Sequence, residues 1–187
     1  MPNVQLDLKP ESTLCFSGHR PNNLGGYYGP KARAIQSGIH SKLYELAKRA
    51  HEGGFRTFIQ GGAQGVDWIA AEACIRLRRE GHNLRLITAK PFPSQAAKWP
   101  NVVMDRYNNI LEQSDAVINV SDDPFTAVKM FDRNMWMIDR SRVLIAVFGG
   151  KSGGTLQAIS YARRKGLLIC SIDPIHLEEN WERPERR

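Results

Sequence analysis

The chain is 187 residues long, 42% hydrophobic and 24% charged, which fits one folded domain with a full core and excludes disordered, collagen-like and disulfide-stapled classes. Cys15, Cys74 and Cys170 are odd in number, far apart and set in apolar runs, so they read as reduced, buried thiols of a cytoplasmic protein and not as metal ligands. The start MPNVQLDLKPES lacks an apolar signal core and no apolar run reaches membrane-spanning length, so no membrane partner is expected.

The net charge of +7 is partly gathered in Lys48-Arg49, Arg76-Leu77-Arg78-Arg79 and Arg163-Arg164-Lys165, which precede Gly53, Gly81 and Gly166. Cations there complement a helix C-terminus and glycine ends the helix, so the clusters read first as solvated helix ends and second as a nucleic-acid patch.

In chain order, residues 1–12 read as an N-terminal extension and Thr13–Ser17 as the first strand. It opens into a polar loop, Ser17-Gly18-His19-Arg20-Pro21-Asn22-Asn23, that continues to Tyr27 and Tyr28. Arg20 suits a phosphate and either tyrosine a base face. His19 is either an acid–base group or a structural hydrogen-bonding histidine.

A helix over Lys31–Glu52 and a strand over Arg56–Gln60 lead to Gly61-Gly62-Ala63-Gln64-Gly65 and a helix over Gly65–Glu80. Val66, Ile69, Ala70, Ala73 and Leu77 share the face expected to meet the sheet. Trp68, Ala71 and Ile75 form a second apolar face, which predicts a subunit contact and hence a homodimer or higher homo-oligomer. Asp67 either accepts ribose hydroxyls or complements the helix dipole. Glu72 either reaches over the site or is solvated.

A strand over Leu84–Thr88 precedes Lys90-Pro91-Phe92-Pro93-Ser94-Gln95, a stiff loop in which Gln95, with Trp99, borders a base pocket or merely turns the chain. Then come a helix over Val102–Gln113, a strand over Ala116–Val120 and a helix over Thr126–Arg140. In the last helix Val128, Phe131, Met135 and Ile138 form the apolar stripe, and Arg133 lies off it, where an arginine is ordinarily solvated. A strand over Val143–Phe148 runs into Gly149-Gly150-Lys151-Ser152-Gly153-Gly154-Thr155, followed by a helix over Gly153–Lys165 and a strand over Leu167–Ile172. Residues 174–187 read as a charged tail that packs loosely, with Trp181 as its candidate anchor.

Short apolar strands without strict alternation, each followed by a helix, predict an α/β fold over residues 13–173. We expect a single-domain, Rossmann-like, doubly wound, mainly parallel sheet with helices on both faces. The loops after the strands then collect on one edge. Two glycine-rich turns there, at Gly61–Gly65 and Gly149–Thr155, predict a shared cradle of backbone amides for a nucleotide or phosphate. The spacing is neither the P-loop GxxxxGKS/T nor the dinucleotide GxGxxG. No histidine or cysteine cluster suggests a metal, and no obligatory cofactor is expected beyond a nucleotide-type ligand.

Ser17-Gly18-His19-Arg20-Pro21, Gly61 to Asp67 with Ala70-Ala71-Glu72, Pro91-Phe92 with Gln95 and Trp99, Arg133-Asn134, and Gly150 with Gly153-Gly154-Thr155 together resemble the SLOG superfamily. More narrowly they look like its YpsA-like branch, found in bacteria and their phages. The likeness runs from Leu14 to Asp173. It implies a Rossmann-like fold that binds nucleotides or nucleotide-derived ligands at the C-terminal edge of the sheet. Gly61, Gly62 and Gly65 match the first glycine motif, and Arg133 and Asn134 match a pair shared with the DNA-processing protein DprA. Gly150, Gly153, Gly154 and Thr155 match the second glycine motif.

Lonely-guy phosphoribohydrolases of this superfamily carry a glutamate three residues after the threonine of GGxGT, where this chain has Ala158. Cleavage of an N-glycosidic bond would therefore depend on Glu72 or Asp67 as the catalytic carboxylate. The leading expectation is a sensor or sequestering module for a nucleotide or an ADP-ribose- or NAD-like ligand. Its binding set is Gly18, His19, Arg20, Gly61, Gly62, Gln64, Gly65, Asp67, Gln95, Arg133, Asn134, Gly150, Ser152, Gly153, Gly154 and Thr155. The rivals are an N-glycosidase and a DprA-like binder of single-stranded DNA, the latter with affinity that falls steeply with salt.

Overall fold

Alternation along the central strands sorts the core into two layers. Leu14, Phe16, Phe58 and Leu86 face one side, while Cys15, Ile59 and Ile87 face the other. The structure is a computed structural model that describes residues 7–184. Its strands are β1 (Thr13–Gly18), β2 (Thr57–Gln60), β3 (Arg85–Lys90), β4 (Ala116–Asn119), β5 (Val143–Val147), β6 (Leu168–Ile172) and β7 (Glu179–Glu182). The helices are α1 (Pro30–Glu52), α2 (Val66–Arg79), α3 (Met104–Gln113), α4 (Ala127–Ile138) and α5 (Gly154–Lys165).

The sheet order is β4-β3-β2-β1-β5-β6-β7, and every pairing is parallel except that of β6 with β7. From β1 the chain winds outward to β4, then α4 carries it back to place β5 beside β1. The connections after β1 and β5 therefore leave in opposite directions, which opens a crevice at the strand ends. The expected doubly wound, mainly parallel α/β fold is what the chain adopts.

Two expectations fail here. Trp68, Ala71 and Ile75 are buried within the chain (2%, 0% and 4% exposed). The face they form is covered by α1 and by α3, with the Trp68 ring 5.4 Å from Trp99 and 5.9 Å from Tyr107. The second apolar face of α2 is thus a core surface and not a subunit contact. The tail as far as residue 184 does not pack loosely either, because Glu179–Glu182 adds an antiparallel edge strand to β6, and residues 185–187 lie outside the described residues. Its charges are its anchors: Glu182 takes a two-pronged bond from Arg163, and Glu179 pairs with Lys42 and Arg49. Residues 1–6 of the expected N-terminal extension lie outside the described residues.

All three cysteines are free and buried. Burial pushes the Cys15 and Cys170 thiols up to about 12 and raises that of Cys74 as well, which leaves them unreactive.

Candidate functional site

The crevice is built outward from the end of β1. A Cβ on Gly18 would lie 2.5 Å from the Val66 side chain, so the start of α2 can sit against the strand only because residue 18 is glycine. The Val66 amide donates to the His19 carbonyl at 3.2 Å. Gly65, with φ of 100°, passes so close to that carbonyl that any side chain there would overlap it.

The first glycine turn is packed against protein. Arg133 of α4 donates to the Gly61 carbonyl and pairs with Asp67 Oδ2 at 3.3 Å. A Cβ on Gly61 would overlap the Arg133 guanidinium, and one on Gly62 would lie 3.0 Å from Gln95 Oε1. Gln95 Nε2 donates to the Gly61 carbonyl at 3.2 Å. Two of the turn's amides are also engaged: Gly62 donates to Gln60 Oε1, and Ala63 to Asp67 Oδ2 at 3.1 Å. Gly61, Gly62, Gly65 and Gln95 therefore hold the wall of the crevice and do not line it. The expected shared amide cradle is corrected to a single one.

That single cradle is the second glycine turn. Gly149 is tied down by donating to His19 Nε2 at 2.8 Å. Beyond it, Gly150 (φ 80°) and Gly153 (φ 140°) adopt backbone angles that favour glycine, and nothing lies within 4 Å of where their side chains would be. No side chain caps α5. No amide from Lys151 to Thr155 donates to a protein acceptor among the described residues. Unpartnered first-turn amides together with the helix dipole give this turn a positive local field that favours negative charge.

A cleft of about 280 Å³ joins this turn to the loop after β1. Ser17, Gly18, His19, Arg20 and Asn23 of the β1 loop line it, with Ala63 of the first glycine turn, Asp67 of α2, and Met130, Arg133 and Asn134 of α4. Lys151, Ser152, Gly153, Gly154 and Thr155 close it. Three cations face one carboxylate. Arg133 is spoken for by Asp67, whereas neither Arg20 nor Lys151 has an acidic partner among the described residues.

Arg133 and Asn134 are buried, against the expectation of a solvated arginine. Burial lowers the Arg133 pKa and the Asp67 carboxylate opposes that shift, so the ion pair keeps the guanidinium charged. His19 is held neutral first by burial and second by Lys151, both of which lower its pKa. That agrees with its Nε2 acting as an acceptor from Gly149.

Of the expected carboxylates, Asp67 reaches the cleft and Glu72 does not. Both Glu72 oxygens are engaged by Arg106 of α3, each at 2.7 Å. Gln64 is turned to a separate groove of about 180 Å³ shared with Tyr27, Tyr28 and Trp68, and the half-buried Trp99 packs edge-on against Trp68. Ser17, Asn23, Ala63, Met130 and Lys151 line the cleft without having been singled out. Ser17, Asn23, Ala63 and Lys151 sit inside loops already marked by their glycines. Met130 is one helical turn before Arg133 and Asn134, which places it on their face.

The YpsA family model, described as the YspA SLOG family, matches residues 14–166. The chain belongs to this family. A UPF0398 protein of Bacillus cereus is 26% identical to this SLOG chain over 185 residues, 92% of this chain and 98% of that protein. An uncharacterized SPbeta prophage-derived protein, YoqJ of Bacillus subtilis, is 33% identical over 137 residues, 67% of this chain and 79% of its own.

Among solved structures, the SLOG fold here is similar to DNA processing protein A from Helicobacter pylori, described for its single-stranded DNA binding mode. The TM-score is 0.57 at 19% identity, over 86% of this chain and 65% of that one. DNA processing protein A from Streptococcus pneumoniae gives a TM-score of 0.59 at 14% identity, over 86% of this chain and 50% of that one. The chain thus spans about two thirds and half of the lengths of these two proteins. Among the described residues, no helix is long and apolar enough to cross a membrane.

Proposed function

We propose that the cleft between the loop after β1 and the start of α5 binds the phosphate end of a nucleotide or an ADP-ribose- or NAD-like ligand, as a sensor or sequestering module. The observation that carries this reading is the row of unpartnered amides from Lys151 to Thr155, flanked by Arg20 and Lys151 without acidic partners. Bare amides at a helix start are stabilised by an anion, and the two cations supply charge-assisted bonds to it. The volume of about 280 Å³ suits a phosphate and its sugar inside, with the base outside or at the rim.

Calorimetric titration with nucleoside monophosphates, NAD and ADP-ribose tests the reading. Saturable binding by at least one, lost in Gly153→Glu, is expected, because the new carboxylate would lie across the amides. No binding by any of them overturns it.

Asp67 favours a second reading, N-glycosidic hydrolysis, since its carboxylate is the one that lines the cleft. One of its oxygens is committed to Arg133 and Ala63, and Ala158 stands where related phosphoribohydrolases carry glutamate. Release of free base from a bound nucleotide is the result that would establish it. A third reading, single-stranded DNA, draws on the same two cations. It requires oligonucleotide affinity that falls steeply with salt and exceeds that of the mononucleotide.

A further inference from the structure

Beside the cleft lies the groove of about 180 Å³ to which Gln64 is turned. A thin partition separates the two hollows. Arg20 lines the cleft and Pro21 the groove, and Ala63 lines the cleft while Gln64 and Gly65 line the groove. The two stretches touch: a Cβ on Gly65 would lie 3.0 Å from the Arg20 Cα and 3.2 Å from the Pro21 Cδ. The partition is therefore two backbone segments in contact, and Arg20, exposed at it, stands between cleft and groove.

The chemistry of the groove is unlike that of the cleft. Tyr27 and Tyr28, 48% and 70% exposed, have ring centres 6.3 Å apart, and Trp68 and Val102 line the groove with them. Arg106 is the one charged residue lining it among the described residues, and Glu72 already pairs with its guanidinium. Gln64 is only 8% exposed, yet its side-chain amide makes no hydrogen bond to any described residue. A buried amide is ordinarily paired, because leaving its donor and acceptor unmet costs free energy. The groove thus offers flat apolar faces and one enclosed donor–acceptor group, with no unpaired charge for a phosphate.

We infer that this groove is a base subsite and that it holds an adenine-type ring. The inference rests on the cleft reading for the phosphate end of the same ligand. Tyrosine faces stack on a base, and a glutamine amide makes a two-pronged contact with the adjacent donor and acceptor on an adenine edge. Each hollow alone, at about 280 and 180 Å³, is smaller than the about 300–1,000 Å³ usual for a ligand site, whereas the two together fall within it. An adenosine diphosphate derivative such as ADP-ribose carries both halves, a base for the groove and phosphates for the cleft.

Three probes separate groove from cleft: ADP-ribose, ribose 5-phosphate (the phosphate end without a base) and adenosine (the base without a phosphate). The first two are titrated by calorimetry, and adenosine is followed at millimolar concentration by saturation-transfer NMR. Gln64→Leu and the double variant Tyr27→Ala/Tyr28→Ala are each expected to weaken ADP-ribose about fivefold or more, the lower end of what a base contact contributes. Both should abolish the adenosine signal and leave ribose 5-phosphate binding unchanged. Gly153→Glu should do the reverse, losing ribose 5-phosphate and keeping adenosine. Melting temperatures should stay within a few degrees of the wild type, since the Gln64 amide holds no protein group and both tyrosines are exposed. The tyrosine variant carries the test should Gln64→Leu fail to fold. If the phosphate-bearing probes bind and ADP-ribose is indifferent to both groove variants, or adenosine gives no signal, the inference falls and the cleft reading stands. If adenosine binding depends on Gln64 and ribose 5-phosphate does not bind, the base subsite stands and the cleft reading falls. Silence from all three probes overturns both.

Discussion

Arg133 fills the space that a side chain on Gly61 would need. Its guanidinium donates to the Gly61 carbonyl and reaches Asp67 Oδ2 at 3.3 Å, which ties α4, the end of β2 and the start of α2 into one wall of the cleft. An arginine with 5% exposure is tolerated because the Asp67 carboxylate balances its charge and, with the Gly61 carbonyl, accepts hydrogen bonds from Nη1.

It follows that Gly61→Ala is a severe substitution despite adding one methyl group. The methyl and the guanidinium cannot share that space, so Arg133 must leave the Gly61 carbonyl and its place beside Asp67, and the cost is that of breaking a buried pair, about 3 kcal/mol or more. Chemical denaturation should show that loss, and a melting temperature lower by about 6 °C or more should accompany it. A variant as stable as the wild type would mean that the guanidinium has another place to go.

The Arg133–Asp67 pair makes a second prediction. Asp67→Ala leaves a buried guanidinium uncompensated, and Arg133→Met leaves a buried carboxylate with only the Ala63 amide; each should cost about 3–5 kcal/mol. The double variant removes both charges and should cost less than the sum of the two single losses, by a coupling energy of about 1–3 kcal/mol in a double-mutant cycle. Strict additivity of the two losses would show that the residues act separately.

The contrast between legible and illegible features has a physical origin. Strands such as Val143–Val147 are continuous apolar runs because both faces are covered, and that signal is local. The glycine turns were equally visible, but a missing side chain makes room for a ligand and for a protein group alike. At Gly150 and Gly153 the space is open, whereas at Gly61 it is filled by a residue 72 positions away. The orientation of α4 was hidden for the same reason. Its apolar stripe argues for Val128 and Phe131 inside, and only the distant partners Gly61 and Asp67 draw Arg133 in instead. Strand β7 escaped notice because its charged residues look solvated until Arg163 and Arg49 are placed beside Glu182 and Glu179.

His19 predicts a pH dependence. Its folded pKa is below the ordinary 6.5, so protonation favours the unfolded chain. The stability it contributes is complete above 6.5 and is lost as pH falls below that value through the lowered folded pKa. Protonation also ends the acceptor role of Nε2 toward Gly149 and frees the base of the second glycine turn. Melting curves across this window should therefore fall more steeply for the wild type than for His19→Gln, whose amide oxygen can accept from Gly149 without titrating. Parallel curves for the two proteins would remove His19 from the account.

The cleft cations yield the last prediction, which separates binding from folding. Arg20 and Lys151 are exposed at the cleft and pair with no acid among the described residues, so the folded chain gains nothing from their charge in the absence of an anion. Arg20→Gln and Lys151→Gln should therefore leave the melting temperature of the unliganded protein unchanged, and slightly raise it if repulsion between the cations is felt. In calorimetric titration with the nucleotide that the wild type binds, each should weaken affinity about three- to tenfold, as loss of one partly exposed charge-assisted phosphate contact does. The deficit should shrink as salt is added, because added ions screen the charge that was removed. Equal affinity in wild type and both variants would place the anion elsewhere on the molecule.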